Sequence, residues 1–169
     1  MMKSFLSFAL LICVALYSWV TFQPEVVSSS PVSLVGRVVD VIDGDSFKFS
    51  VDDDFYRVEM AGIDAPDIGQ MFSNSSIYYL TELIDGREIR VEVFGTNDYG
   101  DIIGEVFLDQ LSINRLMLTD GYAWAARDMS AGESWSGLES LARNKRLGLW
   151  RRDNPVSPWD FREEIRNSL

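Results

Sequence analysis

Two aspartates and one arginine carry the clearest chemistry in this chain. Asp45 lies in "VIDGDSF", Asp64 in "GIDAPD", and Arg57 between them on "YRVEM". Asp-Gly is a tight-turn signal, so the two carboxylates fall at the ends of neighbouring strands. Two carboxylates with one backbone carbonyl suit calcium, a hard cation that prefers oxygen. A fixed guanidinium beside them makes a bidentate pair with a phosphate. Composition removes the alternatives. There is no histidine, and the single cysteine, Cys13, sits in an apolar run. Zinc sites, histidine bases and disulfides are therefore excluded from the folded part. Carboxylates, arginines, hydroxyls and a hard metal ion remain.

The surrounding pattern must position these residues. "LVGRVVDVI", "SFKFSV" and "FYRVEMAGI" are short runs rich in β-branched and aromatic residues. They are divided by "DGD" and "DDD", so three antiparallel strands joined by turns are expected. "FSNSSIYYLTELIDG" places Ile77, Leu80, Leu83 and Ile84 at helical spacing, with Ser or Asn caps before them and Gly86 after. "REIRVEVF" and "IIGEVFL" return to strand patterning. "LSINRLMLTDG" predicts a second helix on Ile113, Leu116 and Met117. "SWSGLESLARNKRLG" predicts a third, from Ser134 to a Gly148 stop, burying Trp135, Leu138, Leu141 and Ala142. Pro155 and Pro158 break a tail whose "WDFREEIR" allows one last turn. Five strands with a helix inserted after the third fit a small closed Greek-key barrel, an α+β fold that is mainly β.

The first residues belong to something else. No charge occurs from Ser4 to Pro24, and about 18–20 apolar residues can span a bilayer. Residues 1–24 are expected to be a signal peptide or membrane anchor, and 25–34 a linker. The barrel then covers 35–152 and a tail 153–169. "YSWVTF" is a poor cleavage site, which favours an uncleaved anchor. Lys3 stays in the cytoplasm, so the domain lies outside it, secreted or periplasmic if the signal is cut.

Charge argues against a polyanionic partner. The net charge is −11, and Asp40 to Asp120 alone holds eighteen acidic against five basic residues. Such a body repels nucleic acid at long range. The cluster Arg143, Lys145, Arg146, Arg151 and Arg152 lies at a helix end, where cations complement the helix dipole. No protein partner can be named from the sequence, and a monomer is expected.

In order and spacing, "VVDVIDGDSF…YRVEMAGIDAPD", "GREIRVEVF", "NDYGD", "GYAWAA" and "ARNKRLGLW" resemble the staphylococcal nuclease (thermonuclease-like) family from about Gly36 to Trp150. The tail "SPWDFRE" looks like that of exported bacterial relatives. The resemblance implies an OB-fold barrel that hydrolyses DNA or RNA phosphodiesters with calcium. It makes Asp45 and Asp64 the calcium carboxylates and Ala65 the carbonyl ligand. Arg57 matches the first of two phosphate-gripping arginines, Asp67 the glutamate that activates water, and Tyr99 a tyrosine of the nucleotide pocket.

The departures are specific. Where the family has a cation before the tyrosine and an arginine after the next glycine, this chain has Asp98 and Asp101. Losing one such donor costs about 10²–10³ in rate. Asp67 is one methylene shorter than glutamate, which sets the base back about 1.5 Å, and a 1 Å misplacement costs about 10²-fold. The expectation is a calcium-dependent phosphodiesterase with activity weakened or lost. The enzyme reading needs a replacement cation, from Lys48 or from the cluster Arg143 to Arg152, which the sequence alone does not place. The alternative is a catalytically inactive extracytoplasmic OB-fold module that binds a protein or envelope polymer.

Overall fold

The computed structural model describes residues 32–127 and 132–169, all within one compact unit, Pro31–Leu169. Alternation produces the expected meander of β1 (Val32–Val41), β2 (Ser46–Val51) and β3 (Asp54–Met60). Phe47 and Phe49 of β2 and Val58 and Met60 of β3 are buried, while the residues between them face outward. Asp52 and Asp53 turn β2 into β3 with φ of 47° and 72°. Aspartate tolerates this left-handed region because its short side chain bonds locally.

β5 (Glu88–Thr96) and β6 (Ile102–Leu108) complete the barrel. β1 pairs with β2 through Arg37–Val41 and with β5 through Val32–Arg37, so one long strand serves two neighbours. β6 then runs parallel to β3, with Val58 opposite Ile102 and Met60 opposite Gly104. That pairing shuts the five-stranded barrel, and closure removes the exposed strand edges. β7 (Leu111–Ser112) extends β6. Outside the barrel, β4 (Ile63–Asp64) pairs with β8 (Trp124–Ala125).

Among the described residues four helices pack around it: α1 (Ser73–Ile84), α2 (Ile113–Thr119), α3 (Gly132–Asn144) and α4 (Pro158–Ser168). The main core holds the inward strand residues with Leu80, Ile84, Ile113 and Met117. A second apolar cluster gathers Trp124, Ala142, Leu149 and Trp150. It closes over a contact between glycines. A Cβ on Gly148, whose φ is +51°, would lie 2.1 Å from the Gly121 carbonyl oxygen. Asn114 is fully buried in α2. Its Oδ1 accepts from the Val106 amide at 2.9 Å, and its Nδ2 donates to the carbonyls of Ala61 and Gly104 at 2.8 and 3.3 Å.

Several expectations need correction. β1 begins at Val32, three residues inside the segment expected as linker, because Val32 to Leu34 pair with Val93 to Val91. α1 has no side-chain cap. Its N-cap is Phe72, at φ 79°, and Ser76 is committed instead to the Tyr122 carbonyl at 2.5 Å. The third helix ends at Asn144, with Gly148 opening a 3-10 turn, Gly148–Arg151. Leu141 is exposed. The tail's expected last turn is a full helix, capped by Ser157, whose Oγ accepts from the Asp160 amide. Among the described residues no helix is long and apolar enough to cross a membrane. The expected anchor, residues 1–24, lies outside the described residues.

Candidate active site

The β1–β2 turn delivers the first carboxylates. Gly44 permits it, since a Cβ there would lie 2.6 Å from the Ala65 Cβ and 2.7 Å from the Ser76 Cβ. The turn thereby presses Asp45 against the loop after β4. Asp45 Oδ2 accepts the Ala65 amide at 2.6 Å, and its own amide donates to Asp43 Oδ1 at 3.1 Å. Burial raises the Asp45 pKa well above the ordinary 3.8; Asp43 beside it adds to the rise, and Asp64 adds less. Asp64 lies within electrostatic reach at the end of β4, so the expected carboxylate pair is assembled.

β3 supplies the opposite wall. Alternation puts Arg57 and Glu59 on the outward face, either side of buried Val58. Arg57 Nη2 donates to Ser46 Oγ at 3.2 Å. Its guanidinium lies 3.9 Å from Asp43 and 3.8 Å from Asp101. Asp101 closes the "NDYGD" turn. Asn97 Oδ1 accepts the amides of Tyr99 and Asp101, each at 2.9 Å, and Asn97 Nδ2 donates to Asp101 Oδ2 at 3.0 Å. Asp101 thus serves the turn and the Arg57 pair together.

The remaining wall comes from the tail. Arg162 of α4 donates from Nη2 to Asp64 Oδ2 at 2.6 Å and from Nη1 to both Asp67 oxygens at 3.1 Å. Gln70 ties this arrangement together. Its Oε1 accepts the Asp67 amide at 3.0 Å, and its Nε2 donates to the Val156 carbonyl, just before α4, at 2.8 Å. A cleft of about 370 Å³ results, lined by Asp43, Asp45, Arg57, Glu59, Asp64, Asp67 and Arg162 among others.

Asp45, Asp64, Ala65, Arg57 and Asp67 therefore meet, with Asp101 on the rim. Tyr99 does not join them; it is 91% exposed and lines no part of the cleft. Lys48 pairs with Asp40 at 3.6 Å on the surface and supplies no cation to the site. Asp43, Glu59 and Arg162 were not singled out from the sequence. The period of two along "YRVEM" would have put Glu59 beside Arg57. Nothing local to "WDFRE" indicates where Arg162 docks.

The donors fit a hard divalent cation in kind, because the carboxylates of Asp45 and Asp64 and the Ala65 carbonyl are all oxygen groups, although Arg162 already pairs with Asp64. They do not complete a cage. Among the described residues, no three acidic or cysteine side chains converge as metal ligands. Water would have to fill the remaining positions around a bound ion.

A protein-family model described as staphylococcal nuclease homologue matches residues 57–152. A rice protein, "Probable staphylococcal-like nuclease CAN2", is 33% identical over 67% of this chain, which spans 31% of that relative's length. "Protein ParB" of Escherichia coli is 33% identical over 84% of this chain and 86% of its own. "Micrococcal nuclease" of Shigella flexneri is 33% identical over 79% and 83%.

Proposed function

The chain belongs to the staphylococcal nuclease family, and from that premise we propose that it is a phosphodiesterase of DNA or RNA whose activity is weakened. Asp45, Asp64 and the Ala65 carbonyl would hold calcium, which when bound supplies positive charge to the phosphoryl group. Arg57 grips the phosphate, and Asp67 orients or deprotonates the attacking water.

One observation carries the weakening: both cations lining the cleft are already neutralised. Arg57 faces Asp43 and Asp101, and Arg162 holds Asp64 and Asp67. Among the described residues the lining carries five carboxylates against two arginines. A phosphate entering this cleft meets net repulsion at the point where charge develops. Asp67 also spends both oxygens on Arg162, so it is a poor base until that contact opens. The test is hydrolysis of single-stranded DNA and RNA by the full chain, with calcium and with chelator. Slow, calcium-dependent cleavage is expected; none, or a chelator-resistant rate, overturns the reading.

A second reading, an extracytoplasmic binding module, is favoured by a separate apolar cavity of about 620 Å³. Phe72, Trp124, Leu149 and Phe161 form its apolar wall, and Arg151, Arg152, Asp153 and Glu164 its polar rim. A mostly apolar cavity with a few polar groups at its edge suits a small ligand or a protein side chain. In both readings the domain acts as a monomer outside the membrane, tethered through residues 1–24 or released where that segment is cleaved.

A further inference from the structure

We propose that α4 is a latch: Arg162 closes the acidic cleft, and a cation bound there and the seated helix exclude one another. This rests on the reading of Asp64 and Asp67 as working site residues.

The helix is held in two places of different character. At its start, Ser157 and Pro158 are buried, Gln70 anchors Val156, and Arg127 stacks over Trp159 at 4.2 Å. One turn later comes Arg162, with its hydrogen bonds to the two carboxylates. Beyond it every residue from Glu163 to Leu169 is exposed, including Ile165 and Leu169. No apolar burial fastens this second half. Its hold on the domain is therefore the ionic contact at Arg162, and the side chain remains 47% exposed.

An ion pair that is partly open to water is screened by salt and opposed by competing cations. A divalent ion offers the same carboxylates twice the charge of a guanidinium. Both Asp64 oxygens accept from Arg162, so an ion that takes them competes directly with the guanidinium. Binding at the cleft thus frees the carboxylates from Arg162 and releases α4 beyond its first turn, while the buried start keeps it tethered. Asp67 regains its oxygens for water in the same step. The arginine is a gate on the site rather than a member of it.

The probe is calcium alone, with two measurements on the full-length chain in mild detergent. Calorimetry compares wild type with Arg162→Gln; the variant is expected to bind calcium at least tenfold more tightly. Hydrogen exchange on wild type needs no substitution, so misfolding of the variant cannot obscure it. Calcium should speed exchange of the amides in 162–168 and leave the barrel amides unchanged or slower. Equal affinity in the two proteins, unchanged exchange in α4 with calcium bound, or no binding to either protein overturns the latch. Failure of the phosphodiesterase reading looks different: Arg162→Gln then binds calcium more tightly and still cuts nothing.

Discussion

Asp101 and Asp45 are the two residues whose chemistry most directly sets what the cleft can do. If Asp101 and Asp67 are the lesions, Asp101→Arg with Asp67→Glu raises phosphodiesterase activity sharply. The pair should gain more than the single changes combined, because groups acting on one transition state are non-additive. Steady-state rates with calcium check this, and Arg57→Ala in the improved background should remove the gain. Asp45 makes a stability prediction. Its folded pKa is raised above the unfolded value, so its contribution is fully present below that value and is lost as pH rises through the folded pKa. At neutral pH an ionised Asp45 is held out of water and crowded by Asp43, while Arg57 and Arg162 pair with its neighbours Asp43 and Asp64 rather than with it. Asp45→Asn should raise Tm by at least about 2 °C at pH 7, and the gain should fade towards about pH 4. Thermal unfolding at both pH values decides it. At this scale Asp45, Asp64 and Arg57 were legible because each sits in a short motif with a fixed strand position. Arg162 was not, since 98 residues separate it from Asp64 and only tertiary docking joins them.

The elements were legible in type more than in detail. Strand alternation and helical spacing reflect which face must be buried, and that demand is local. Caps and ends depend on competition for polar groups, which is not. Phe72 rather than a serine precedes α1, while Ser76 bonds the distant Tyr122 carbonyl, and Ser157 caps the tail helix. Asn114 shows the same limit: nothing local to "LSINRLM" indicates that its side chain joins β6 to the bend after β3. Asn114→Ala leaves the Val106 amide and the Ala61 carbonyl without partners in a dry interior. The expected loss is about 2–3 kcal/mol by urea unfolding. Asn114→Asp should be no better, since it keeps an acceptor for Val106 but loses the donors and adds a buried charge.

The molecule as a whole carries −11, and this sets how it meets a polyanion. A basic nuclease binds more weakly as salt releases its counterion advantage. Here long-range repulsion dominates and salt screens it. Cleavage of single-stranded DNA at substrate well below saturation should therefore speed up between about 20 and 150 mM NaCl, where the Debye length falls to about 8 Å. Loosening of the Arg162 contact by salt acts in the same direction. A rate that falls across this range would mean that a basic surface outside the cleft guides the substrate.

The parallel pairing of β3 with β6 has a kinetic consequence. Val58 and Ile102 are far apart in the chain, so their meeting carries a large loop-closure entropy and follows the local β2–β3 hairpin. The Arg57–Asp101 contact lies immediately beside the closing pair. Half of the cleft therefore does not exist until the final strands join. A partly folded chain lacks this wall of the cleft, so metal or phosphate should leave the refolding rate almost untouched. They should instead slow unfolding, lengthening the lifetime of the finished barrel.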